Sequence, residues 1–236
     1  MSDRSETSDT VIAEDTASWR QTYDANARLY TLMAAGFHLT GVARQRRRMI
    51  DALRLQEVDT VIDLCCGSGQ NFAELRRRIG PSGRLIGVDI SRNMLSIARE
   101  LIDKNGWQNV ELIEADIADY DPPSAMRAAI STFGLDIVPS AERIVEAFAH
   151  KMPEGTRLGL LGSQEPENWP DWLVRLGIWM NKPCDIERKH LSIRPDKAAA
   201  RTLEQEERQD FWFGIFYWSV CRSARQVRKL EQESTQ

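Results

Sequence analysis

The sequence predicts an α/β chain built on one doubly wound, mostly parallel sheet with helices on both faces. Three observations carry this. Short apolar runs alternate with segments of helical periodicity from about residue 59 onward. Those runs are apolar almost throughout, as strands buried on both faces are, instead of alternating with polar residues. The first run, "VIDLCCGSGQNF" at residues 61 to 72, stops at an acid and breaks into a glycine turn that opens a helix.

Residues 1–18 are acidic and rich in Ser and Thr, and read as a disordered tail. Trp19, Tyr23, Ala27, Tyr30 and Met33 recur at three- and four-residue steps, which predicts a helix that breaks between Gly36 and Gly41. A second helix follows to about Leu55, so that residues 19–58 form an N-terminal helical cover. "DTVIDL" is a short buried strand. The helix after Gly69 closes on Arg76, Arg77 and Arg78, whose charges suit the negative helix end, and then on Gly80 and Pro81. "GRLIGVD" is the second strand, ending on Asp89; Ser91 caps a helix with Met94, Ala98, Leu101 and Ile102 on its core face, and Gly106 stops it. "NVELIEAD" supplies the third strand, "MRAAISTF" the fourth, "SAERIVEAFAHKM" a helix and "GTRLGLLG" the fifth strand. The aromatic block "DFWFGIFYWSVC", bent at Gly214, is expected to form the core of a closing strand pair, an antiparallel edge that brings the sheet to seven strands. Residues 59–223 thus make one domain and 224–236 a solvated tail.

Composition excludes several classes. At 236 residues, 42% hydrophobic and 28% charged, the chain can bury one good-sized core. A net charge of −4 gives no electrostatic reason for a nucleic-acid partner. Cys65, Cys66, Cys184 and Cys221 have no metal-ligand spacing, and the adjacent pair cannot close an ordinary disulfide, which fits a reducing, cytoplasmic compartment and no metal site. The acidic start is the opposite of a signal peptide, and "FWFGIFYWSV" is about half the length a helix needs to cross a bilayer.

A glycine turn after the first strand lets backbone N–H groups approach a nucleotide-like cofactor, and Asp89, 20 residues past Gly69, is placed to accept hydrogen bonds from ribose hydroxyls. A dinucleotide fingerprint needs a third small residue, but Gly67-Ser68-Gly69 is followed by Gln70, Asn71 and Phe72, which counts against NAD or FAD. Asp63 points elsewhere. The D-x-x-x-G-x-G pattern of Asp63, Gly67 and Gly69 resembles motif I of the class I S-adenosylmethionine (SAM) methyltransferases. Asp89-Ile90 in "LIGVDIS" matches that family's second-strand acid, and Asp116-Ile117 in "EADIAD" its third-strand position facing the adenine. "STFGLDIVPSAERIVEAFAHKMPEGTRLGLLGSQEP" resembles the corresponding region of the ubiquinone and menaquinone C-methyltransferases and of bacterial phosphatidylethanolamine N-methyltransferases.

The resemblance implies a Rossmann-like fold, SAM as cofactor, and a small or lipid-like acceptor. It places Asp63, Cys65, Gly67, Gly69, Asp89, Ile90, Asp116, Ile117 and Ser131 at the cofactor, with Tyr23 on a helix that closes over it. Cys65 stands where the family often has glycine, and is expected to keep an ordinary L-residue conformation as a turn filler. Ser131, Thr132 and Phe133 end the fourth strand, at the sheet edge where the acceptor should meet the methyl group. None of His38, His150 and His190 stands out as a base, which leans toward a lipid head-group amine over a quinone, a phenol or another metabolite. A SAM-binding regulator without catalysis is the non-enzymatic alternative. In "RQRRRM", Arg44, Arg47 and Arg48 share a helical face, with Asp51 expected to pair with Arg47; the face is either solvated or in weak contact with anionic lipid head groups. Trp169, Trp172 and Trp179 fall on one short segment that could line an apolar acceptor pocket.

Overall fold

The computed structural model describes residues 41–138, 140–167, 169–180 and 188–224. The two expected tails, apart from Ala224, the first N-terminal helix with Tyr23, and His38 lie outside them. Helix α1 (Val42–Ala52) starts from Gly41, whose φ of 81° is strained for other residues, and buries Val42, Met49 and Ile50. Then come β1 (Thr60–Leu64), α2 (Phe72–Ile79), β2 (Arg84–Asp89), α3 (Arg92–Asn105), β3 (Val110–Glu114) and β4 (Met126–Thr132). A 3-10 turn at Leu135–Ile137 leads into α4 (Ala141–Lys151) and β5 (Arg157–Ser163). Helices α5 (Asp171–Met180) and α6 (Pro195–Thr202), with a 3-10 helix at Arg188–Ser192 ahead of α6, precede β6 (Glu204–Phe211) and β7 (Phe216–Arg222).

The seven strands lie in the order β3-β2-β1-β4-β5-β7-β6. The first five run parallel, while β7 is antiparallel to β5 and β6 to β7. Consecutive strand residues serve opposite faces: Ile62, Ile86, Ala129 and Leu158 pack with α4 and α6, and Val61, Leu85, Ala128 and Leu161 with α1, α2 and α3. Continuous apolar strands are therefore what this double-sided sheet requires. The order reverses between β1 and β4, which opens a crevice at the carboxyl ends of those strands.

Local signals hold where they rest on backbone geometry. The Ser91 hydroxyl accepts the Met94 N–H at 3.2 Å, and Gly106 ends α3 in the left-handed region. Three expectations are corrected. Asp51 pairs with Arg78 of α2, not with Arg47, because α1 packs beside α2. The aromatic block is only half strand: β6 is the charged run before it, and Trp212 and Phe213 form the hairpin turn with Gly214, where Phe213 is 87% exposed. Trp172 and Trp179 are 66% and 70% exposed, and Trp179 lines only an open cleft with Arg175, Ile178 and Arg188 among the described residues, not an enclosed acceptor pocket. Among the described residues no helix is long and apolar enough to cross a membrane.

The β5–β7–β6 end is tied by ions. Asp196 of α6, 1% exposed, accepts from Arg194 Nε and Nη2 at 2.9 and 2.7 Å and from Arg208 Nε of β6 at 3.2 Å. Burial opposes its ionisation, but the two guanidinium groups outweigh that and hold its carboxyl below the usual range. Both guanidinium groups also lie over the Tyr217 ring, 5.3 and 5.6 Å from its centre.

Candidate functional site

The turn after β1 is built around two left-handed glycines, Gly67 (φ 52°) and Gly69 (φ 81°). The Gly67 N–H donates to Asp89 Oδ2 at 2.8 Å, and the Ser91 N–H donates to Asp89 Oδ1 at 2.9 Å. One carboxylate thereby joins the β1 turn to the end of β2. The Ala115 N–H donates to the Asp89 carbonyl at 3.1 Å, which sets the end of β3 beside it. Asp116 Oδ1 accepts the Ala118 N–H at 2.9 Å, Ile90 is half-buried, and Ile117 is buried in the core cluster under that loop.

Asp63 is fully buried in β1, and both of its oxygens accept from Asn71 Nδ2, at 2.9 and 3.0 Å. Burial pushes its carboxyl up to about 7, against the Asn71 bond and the Arg46 charge, which pull it down. Asp63 therefore fixes the start of α2 from beneath and offers no exposed oxygen. Ser131, 2% exposed near the end of β4, has no hydrogen-bond partner for its hydroxyl among the described residues. The structure thus gathers Asp63, Gly67, Gly69, Asp89 and Asp116 at one sheet edge, while Tyr23 lies outside the described residues.

Cys65 overturns its expected conformation, with φ at 54°, in the left-handed region. Its side chain packs on Gly134, where an added Cβ would come 2.3 Å from Cys65 Cβ. Burial first, and then the charges of Asp89, Asp63, Asp116 and Asp136, push its thiol well above the ordinary value, so it stays protonated and unreactive. Asp89 and Asp116 bring two carboxylates to this edge.

Phe72, which argues against a dinucleotide, is seated by two glycines. Its ring lies where a Cβ on Gly69 would sit at 2.6 Å and one on Gly87 of β2 at 2.7 Å. Helix α2 packs on the sheet through an aromatic ring over a bare strand backbone, so the close approach comes from Gly87 and not from a third glycine.

Two groups escaped the sequence reading. Arg46 is 7% exposed, and its Nη2 donates to Gln70 Oε1 at 3.4 Å. Its spacing from Val42, Met49 and Ile50 was the available signal, because it places Arg46 on the apolar face of α1. Asp136, 3% exposed just past β4, accepts the Ser163 N–H at 2.9 Å and the Ser163 hydroxyl at 2.7 Å with Oδ2, whereas Oδ1 has no hydrogen-bond partner among the described residues. The Tyr217 hydroxyl, also without one, sits against the same glycine as Asp136: a Cβ on Gly162 would meet them at 3.0 and 3.2 Å. Burial raises the Asp136 carboxyl, against the pull of the Ser163 bonds. No local pattern marks this pair.

Residues 61–155 match the family model for a methyltransferase domain. The chain's relatives include the demethylmenaquinone methyltransferase of Listeria welshimeri, 29% identical over 128 residues, which are 54% of each chain. The chain spans about half the length of the curated relatives it matches. Among solved structures, the domain's fold matches a SAM-dependent methyltransferase from Aquifex aeolicus (TM-score 0.55, 15% identity, 75% of this chain and 88% of that one). It also matches the geranyl diphosphate C-methyltransferase of Streptomyces coelicolor, solved with Mg2+, geranyl diphosphate and S-adenosylhomocysteine (TM-score 0.61, 15% identity, 77% and 78%). These likenesses show the fold, and the chemistry of the site rests on the residues around the glycine turn.

Proposed function

We propose that the protein binds SAM at the β1–β3 edge and transfers its methyl group to an amphipathic small molecule. The observation that carries this is the Gly67 N–H bonded to the Asp89 carboxylate, which joins the glycine turn to the end of β2. When bound, SAM supplies an electrophilic methyl on a cationic sulfur. Asp89 takes the ribose hydroxyls, Asp116 and Ile117 border the adenine, and Gly67 and Gly69 keep side chains off the path of the ligand. The acids favour the positive sulfonium and ammonium groups. Residues 1–40 include Tyr23, for which we propose a closing role: removal of residues 1–18 should leave transfer intact, and removal of 1–30 should abolish it.

With no base visible in the sequence a lipid head-group amine is favoured as acceptor, but Asp136 is a buried acid whose Oδ1 has no hydrogen-bond partner among the described residues. A group of that kind suits an acceptor that must give up a proton, such as a quinol-type ring. The demethylmenaquinone methyltransferase relatives support the same class. The amine reading keeps one observation, the two carboxylates of the edge, which would equally hold an ammonium. Calorimetry should show S-adenosylhomocysteine binding and no NAD binding. Methyl-labelled SAM, offered with vesicles containing either a demethylated naphthoquinol or phosphatidylethanolamine, then decides the acceptor by which molecule carries the label. A water-soluble product from cell extract, with neither vesicle labelled, overturns the amphipathic acceptor.

A further inference from the structure

Arg46 is a buried cation without a buried anion in contact. Among the described residues no carboxylate lies within ion-pair distance of it, its Nε is buried with no hydrogen-bond partner, and its one bond is the 3.4 Å contact with Gln70. Leaving a buried guanidinium in that state is costly, and protein interiors normally pair such groups. The other buried arginine centre of this fold shows the contrast, since Arg194 makes two bonds to Asp196. Asp63 is near enough for its charge to be felt at Arg46, but its two oxygens are both committed to Asn71. What Arg46 lacks is an external carboxylate.

Its position says which one. Gln70 directly follows Gly69, so the guanidinium stands over the glycine turn, on the α1 side of a site whose remaining charges are acids. Only a ligand with positive groups and one carboxylate satisfies both. We propose that Arg46 receives the α-carboxylate of the cofactor's amino-acid end, making α1 the element that tells an adenosyl amino acid from a plain adenosyl thioether. This rests on the SAM reading above. Gln70 orients the guanidinium.

The test compares two ligands that differ only at that end. S-adenosylhomocysteine has the carboxylate, and 5′-methylthioadenosine lacks the whole amino-acid arm; calorimetry on the full chain measures both against wild type, Arg46→Lys and Arg46→Met. A charge-assisted bond of this kind implies that Arg46→Met weakens S-adenosylhomocysteine about tenfold or more and methylthioadenosine less than about twofold, with Arg46→Lys intermediate. Equal losses for both ligands, or none for S-adenosylhomocysteine, would overturn the assignment and leave Arg46 a packing residue. If Arg46→Met does not fold, wild type alone still decides: the decarboxylated analogue of S-adenosylhomocysteine should bind at least about tenfold more weakly than its parent, and equal binding overturns the proposal. Failure of wild type to bind either adenosyl ligand would instead remove the SAM reading on which the assignment stands.

Discussion

At the β1–β3 edge, acids and glycines stand where strand register and turn geometry put them, each within a few residues of its strand. At the β5–β7–β6 edge, the buried polar groups come from four separate segments, Asp136 after β4, Ser163 of β5, Asp196 of α6 and Tyr217 of the hairpin, with the more exposed Arg208 reaching in to Asp196. The first edge is mostly backbone, with the Asp89 carboxylate tied to the Gly67 and Ser91 N–H groups of the turns beside it. The second spends its charges on itself, holding an antiparallel hairpin to a parallel sheet. Loss of an acid should therefore cost stability at one edge and ligand affinity at the other.

The largest expected effect lies at the second edge. Asp196→Ala leaves two guanidinium groups, 18% and 26% exposed, without their shared anion, and should destabilise the fold by about 3 to 5 kcal/mol in urea denaturation. Binding of S-adenosylhomocysteine by the folded fraction should be unchanged. Asp89→Ala is the mirror image. It should weaken that ligand by about 2 to 3 kcal/mol, from two bonds to a charged acceptor, and change stability by only about 1 kcal/mol. If both variants lost stability and affinity alike, the two edges would be one cooperative unit and the contrast would fail.

This division also explains what the sequence could show. Apolar runs, the Ser91 cap, the Gly106 stop and the acids at Asp63, Asp89 and Asp116 are local features, legible because a strand end or a cap fixes its own residue. Cys65 departs from its expectation because no local pattern marks its left-handed backbone, and the glycine it packs on, Gly134, is 69 residues away. Asp136 and Tyr217 were invisible for the same reason, since they meet only across Gly162. Arg46 was legible in principle, but a basic run reads as a solvated face unless its helical phase is counted residue by residue.

Asp63 sharpens the comparison through pH. Its folded-state carboxyl titrates near 7, above the ordinary 3.8, so the folded state holds a proton that the unfolded chain has released. Its contribution to stability is whole below about pH 4 and is lost as pH rises through 7. Between pH 5 and 8, wild type should lose on the order of 2 kcal/mol relative to Asp63→Asn, read from the two denaturation midpoints. A pH dependence identical in the two proteins would mean that Asp63 stays ionised and that Arg46 already neutralises it.

Gly87 tests the seat of Phe72. An added methyl would stand 2.7 Å from Phe72 Cζ and 3.0 Å from Cys66 Sγ, so Gly87→Ala should cost about 1 to 3 kcal/mol through overpacking. Phe72→Leu in the same chain should recover part of that loss, because the smaller side chain vacates the contact. Additive losses would show that the strand, and not the ring, resists the methyl.

The smallest effect on the fold, and the widest consequence for the acceptor, concerns the outer face of α1. Arg44, Arg47 and Arg48 are exposed, and Arg47 bonds only its own helix, at Ala43 O. Changing all three to glutamate should therefore shift stability by less than about 1 kcal/mol and leave S-adenosylhomocysteine affinity unchanged, since Arg46 is kept. On an anionic vesicle each arginine near the surface contributes about 1 kcal/mol, enough for weak adsorption at low salt that is lost at high salt. Trp172, Leu176 and Trp179 form an exposed apolar face on α5, and could add purchase on the same surface. Wild type should co-sediment with such vesicles at low ionic strength, the triple variant should not, and methylation of a vesicle-borne acceptor should fall in parallel. Vesicle binding absent at every salt concentration would make the arginines a solvated face, and an amphipathic acceptor would then have to reach the β4 edge without a membrane to present it.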